Sequence, residues 1–109
     1  MERARVLIAN EPPAYREVLT LTLQKMRVPA DVSCVEPEDL DDEIARLSPH
    51  LVICSRLTGM IDDAQIGWLL LYPNGETRAV LSMLGQRTEL TDPDLDGILA
   101  LVERTSELA

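Results

Sequence analysis

Apolar positions along the chain switch between continuous runs, period-two alternation and a helical period, and each switch falls at a proline, glycine or acidic cluster. Arg5 to Ala9 (RVLIA) is a short apolar run, the pattern of a strand buried on both faces. Asn10-Glu11-Pro12-Pro13 ends it, and proline suits the first turn of the helix that follows. In that helix Tyr15, Val18, Leu19, Thr22 and Met26 fall near a 3.6 period, with Leu21 and Leu23 widening the apolar side, so the face built on these residues is expected against the core. The helix ends before Pro29. Ala30 to Val35 alternates as a strand, Glu36 to Leu47 reads as a helix with Leu40, Ile44 and Leu47 on one side, and Leu51 to Cys54 is a second doubly buried strand.

The order so far, β-α-β-α-β, implies right-handed crossovers and a parallel sheet whose ligand chemistry lies at the carboxyl ends of the strands. Beyond residue 56 the pattern changes. Gly67 to Tyr72 (GWLLLY) is strand-like, Pro73-Asn74-Gly75-Glu76 is a strong turn signal, and Thr77 to Met83 is strand-like again, which predicts a β-hairpin. A turn at Leu84-Gly85-Gln86 leads to a short strand, Arg87 to Leu90, completing a meander. Asp94 to Leu108 has Leu95, Ile98, Leu99, Leu101 and Val102 at helical spacing and closes the chain as a helix.

With 109 residues and no low-complexity linker, residues 1–109 are expected to form one domain. Hydrophobic residues make up 46% of the chain but aromatics only 3%, so the core must be aliphatic, as suits a sheet covered by helices. The formal net charge of −9 and the scattered Lys and Arg argue against nucleic acid as a partner. No apolar run has the length to span a bilayer and the opening MERARVLIAN has no signal-peptide architecture, so neither a membrane nor export is expected and a cytoplasmic protein is the default. Cys34 and Cys54 lie in strand-like segments and are expected to be buried free thiols. His50 has no second His or Cys at ligand spacing, which makes it a strand-edge residue and not a metal ligand or base. The acids of residues 36–43 fit a solvated first turn complementing the helix dipole, not a metal site.

The segment VLIANEPPAYREVLTLTLQ resembles the opening of response-regulator receiver domains, which typically place an acidic pair and a proline just after strand one. Asn10 and Glu11 fall at that pair. SPHLVICSRLT is similar to the family's third strand, whose end carries the phospho-accepting aspartate, and Ser55 stands there. LTDPDLDGILALVE resembles the lysine-and-proline loop running into the last helix, with Asp92 in the lysine's place, while Ser82, at the end of AVLS, falls at the hydroxyl switch position. Only about ten residues separate Ser82 from Asp92, too few for the helix and strand the family places there.

The resemblance therefore implies a flavodoxin-like, receiver-like parallel β-α-β-α-β core, an antiparallel hairpin or meander in place of the fourth segment, and a C-terminal helix. It also implies a degenerate phosphorylation pocket, Asn10, Glu11, Ser55, Ser82 and Asp92. Aspartyl phosphorylation needs a carboxylate nucleophile, Mg²⁺ held by acids and a cation facing the phosphoryl group, and this chain offers a serine, one plain carboxylate and an aspartate where the cation belongs. No enzymatic activity, cofactor or metal is expected. The implied function is a regulatory or protein-interaction module of a two-component signalling system that is not phosphorylated on Asp. The alternative is a small-molecule or divalent-cation sensor at the carboxyl-end crevice, with Asn10, Glu11 and Asp92 converging.

The partner is expected to be another protein or a second copy. In strand Gly67 to Tyr72, Trp68, Leu70 and Tyr72 share one face and Leu69 and Leu71 the other. Both faces are apolar, so one needs cover, which points to Trp68, Leu69, Leu71 and Tyr72 as an interface and to a homodimer through residues 67–90.

Overall fold

The structure, a computed structural model, describes residues 3–59, 61, 66–71, 77–91 and 93–108. Among them six strands make one mixed sheet: β1 (Ala4–Ala9), β2 (Ala30–Cys34), β3 (Leu51–Cys54), β4 (Gly67–Leu71), β5 (Arg78–Met83) and β6 (Gln86–Thr91), in the order β2-β1-β3-β4-β5-β6. Three α-helices accompany them: α1 (Pro13–Lys25), α2 (Leu40–Leu47), entered through a 3-10 turn at Pro37–Asp39, and α3 (Leu95–Leu108).

Strands β2, β1, β3 and β4 are mutually parallel, with Ile8 level with Ile53 and Ile53 level with Leu69. β5 and β6 run antiparallel to their neighbours. The fold is thus α/β and the meander is present, but a six-strand order with an antiparallel end is not the flavodoxin-like sheet the resemblance implies. The reason is local. β5 starts at Arg78 soon after β4 ends at Leu71, and Leu84 and Gly85, both at positive φ, reverse the chain again before β6, whereas a parallel neighbour requires a crossover of a dozen or more residues.

Alternation along the strands divides the core into two layers. Val6, Ile8, Leu51, Ile53, Leu69, Leu71 and Ala79 face α1 and α3, meeting Leu19 and Leu23 of α1 and Ile98, Leu101 and Val102 of α3. Leu7, Ala9, Val52, Cys54 and Trp68 face the other way, onto Leu40 and Ile44 of α2 and onto Ile61. Helix α1 turns a different side inward from the one its periodicity suggests. Arg16, Leu19, Thr20 and Leu23 are buried, while Val18 (62%), Leu21 (54%) and Met26 (49%) are exposed. The helix is apolar over most of its circumference, so tertiary packing rather than pattern chose its face, and the Thr20 hydroxyl is satisfied by donating to the Arg16 carbonyl at 2.8 Å. No helix among the described residues is long and apolar enough to cross a membrane.

Candidate functional site

The carboxyl ends of β1 and β3 are neighbours because Ala9 is level with Cys54, and this brings Asn10 and Glu11 beside Ser55. Asn10, Glu11 and Ser55 lie together there, and their hydrogen bonds tie β1 to β3 and to β4. The Glu11 backbone N–H donates to Ser55 Oγ at 3.1 Å. The Asn10 side chain, only 1% exposed, reaches past β3 and donates through Nδ2 to the Leu71 carbonyl at the end of β4, 2.9 Å away. The Glu11 side chain lies in solvent.

A fourth member of this cluster, Arg16, was not singled out from the sequence. It lies on the first turns of α1, is 6% exposed, and donates through Nη1 to the Asn10 carbonyl at 3.3 Å. Its Nε and the Asn10 Oδ1 are buried with no hydrogen-bond partner. Arg16 shares the buried i, i+3, i+4, i+7 stripe with Leu19, Thr20 and Leu23, but two of the four are polar, so apolar periodicity does not mark it. The helix start itself is a poor anion cradle. Pro12 and Pro13 have no N–H, and the N–H groups of Tyr15 and Arg16 donate to the Pro12 carbonyl.

Of the two remaining pocket residues, Ser82 does not join. Ser82 is level with Trp68, which is level with Val52, so it lies toward the amino ends of the parallel strands, about 10 Å along the strand direction from Ser55 at ~3.3 Å per residue. An antiparallel strand reverses which end of the sheet its last residues occupy, and the hydroxyl switch reading is corrected accordingly. Ser82 instead lines a cavity of about 800 Å³ with His50, Trp68 and Arg87 among its walls. Asp92 lies outside the described residues. The residue before it, Thr91, ends the edge strand β6, three strand positions from β3 and so about 14 Å away at ~4.8 Å per strand.

The expected interface is likewise placed in the core. Trp68, Leu69 and Leu71 are buried, Trp68 on the α2 side and both leucines on the α1/α3 side, and Tyr72 lies outside the described residues. Leu69 and Leu71 share one face and Trp68 the other, as alternation predicts, but both faces of β4 are covered within one chain, so these three side chains present no surface to a partner. Trp68 is closed over by the Arg87 guanidinium, 5.4 Å from the ring centroid.

His50 acts as a tie between strands: its Nδ1 accepts the Arg5 N–H at 2.9 Å, and its own N–H donates to the Arg5 carbonyl at 2.8 Å. Cys54 is buried, and burial pushes its thiol from 9.0 up to about 12. Cys34 is exposed, against expectation, because β2 is an edge strand whose last residues lie outside the core. In the acidic stretch, Glu43 pairs with Arg46 and Asp41 accepts from the Thr58 hydroxyl. Among the described residues no three His, Cys, Asp or Glu side chains are grouped to hold a metal.

No family model, curated protein or solved structure matches the chain.

Proposed function

We propose that the chain is a receiver-like regulatory module of a signalling system, cytoplasmic, not phosphorylated, acting through contact with another protein. One observation carries this reading. At the carboxyl ends of β1 and β3, where a receiver would do its phosphoryl chemistry, Asn10 and Ser55 are committed to holding strand ends together, the first on the Leu71 carbonyl and the second on the Glu11 N–H. Ser55 Oγ accepts that backbone hydrogen bond, and the position at which a receiver carries its carboxylate nucleophile holds this serine instead.

Beryllofluoride or acetyl phosphate with Mg²⁺ tests the reading. Amide spectra unchanged around Ser55 and an unchanged mass are expected. Shifts clustered at residues 10, 11 and 55, or an acyl-phosphate adduct, would overturn it.

The sensor reading is favoured by one specific observation, the unpartnered Arg16 Nε and Asn10 Oδ1, a donor and an acceptor buried near the carboxyl end of β1. A thermal-shift screen with divalent cations and small anions separates the two, since a ligand of the folded state raises the melting temperature by mass action. A saturable rise abolished by Arg16→Met would favour the sensor, and a flat screen the interaction module.

A further inference from the structure

The sheet has two edges, and they are treated differently. On β2 the outward carbonyls are taken by side chains: Ala30 O by Arg3 Nη2 at 3.0 Å and Val32 O by Gln24 Nε2 at 2.9 Å. Such blunting prevents edge-to-edge pairing. At the other edge stands β6, with five of its six residues exposed.

The β5–β6 turn fixes which backbone groups of β6 face outward. Leu84 (φ 55°) and Gly85 (φ 79°) form a two-residue turn with both central residues at positive φ, and the pair flanking such a turn, Met83 and Gln86, exchanges hydrogen bonds. Gln86, Thr88 and Leu90 therefore turn their N–H and C=O toward β5, while Arg87, Glu89 and Thr91 turn theirs to the open edge. A second, antiparallel β6 can join only where outward residues oppose outward residues, which leaves two-fold registers centred on Arg87, Thr88, Glu89 or Leu90, and the last is set aside because it overlaps only three residues of each strand. Charge decides among them. Centring on Arg87 opposes two guanidinium groups and centring on Glu89 opposes two carboxylates, both destabilising. Centring on Thr88 sets Arg87 of each chain against Glu89 of the other, twice.

We propose that β6 is a homodimer seam, pairing with β6 of a second copy in the Thr88-centred register and joining the two six-stranded sheets into one. This gives the proposed interaction module its partner and rests on that reading. The same register brings the hairpin tip beside the partner's Thr91. Leu84, at that tip, is 72% exposed, the most exposed large apolar side chain among the described residues. An apolar groove of about 370 Å³, walled by Leu69, Leu81, Leu90, Ile98 and Leu101, reaches Thr91 and Pro93 and offers it cover. One surface is thus self-complementary in hydrogen bonds, in charge and in apolar area, as a two-fold interface must be.

Sedimentation equilibrium of the full chain at micromolar concentrations is expected to show a dimer. Arg87→Glu and Glu89→Arg, each made alone, oppose like charges at both sites and weaken dimerisation about tenfold or more, and the double exchange R87E/E89R restores it. Register is read by cross-linking in a Cys34→Ser background. Thr88→Cys oxidises to a covalent dimer, because opposed Cα atoms in a non-hydrogen-bonded antiparallel pair lie ~4.5 Å apart, within disulfide reach, while Gln86→Cys, which opposes the partner's Leu90, does not. A wild type that is monomeric with intact circular dichroism, a double exchange that fails to rescue, or equal cross-linking at 86 and 88 overturns the proposal. A monomer that also ignores beryllofluoride ends the seam and leaves the unphosphorylated module standing, whereas a beryllofluoride response removes that module whatever the oligomeric state.

Discussion

Asn10→Ala tests whether the crevice is structural. The Nδ2 bond to the Leu71 carbonyl is the described side-chain link between the ends of β1 and β4, and both residues are at most 1% exposed. Truncation leaves the carbonyl buried without this donor, at about 1–3 kcal/mol. The Oδ1 that leaves with it has no partner, so its removal relieves a desolvation cost and draws the net toward the lower half of that range. For a domain of this size each kcal/mol lowers Tm by about 4–8 °C, so a fall of roughly 4–15 °C is expected. Urea denaturation followed by circular dichroism is the assay. The midpoint should drop with m unchanged, since the truncation alters stability and not the surface exposed on unfolding. Ser55→Ala, which removes an acceptor at a half-buried site, should cost about 0.5–1.5 kcal/mol by the same assay. An Asn10→Ala protein within about 0.5 kcal/mol of wild type would refute the argument that this side chain holds the strand ends.

Arg16→Met is expected to be neutral or stabilising in the same titration, because the guanidinium is buried with one hydrogen bond at 3.3 Å and an orphaned Nε; a loss above about 2 kcal/mol would show that it has an essential partner. A thiol reagent at mildly alkaline pH should modify one cysteine per folded chain, Cys34, and reach Cys54 only in denaturant; two fast-reacting thiols in the native protein contradict the burial. Because the folded Cys54 pKa is raised, its neutral burial stabilises fully below 9.0 and that contribution is lost as pH climbs toward about 12, so Cys54→Ala should flatten the alkaline decline in denaturation midpoint. Trp68→Ala, taken at 3% exposure from the α2-side core, should cost about 3–5 kcal/mol, and a change near zero would mean the indole is not core.

The elements themselves were legible because their signals are short-range. RVLIA and LVIC are continuous apolar runs, which only a strand covered on both faces requires, and the turn before Gln86 carries the glycine that a positive φ asks for. What failed depends on partners far along the chain. The inward face of α1 could not be chosen from a helix apolar over most of its surface, and Arg16 was lost with it. The cover for β4 comes from α3, which follows it by more than twenty residues, so two apolar faces on one strand looked like an exposed surface when they mark a central strand between two layers.

The misplacement of Ser82 has a different character, because the sequence contained the means to avoid it. A hairpin over residues 67–83 and a hydroxyl at the carboxyl end of the parallel strands are incompatible, since the second strand of a hairpin finishes where the first began. Once Gly67 is level with Leu51, the last residues of β5 must return to the level of residues 51–52, as the pairing of Ser82 with Trp68 records. The same directional rule leaves β6 running back toward the carboxyl ends, ending at Thr91 on the outside of the sheet. The antiparallel meander therefore does two things at once: it carries Ser82 away from the carboxyl ends where Asn10 and Ser55 lie, and it places a charged, exposed edge where the seam is proposed.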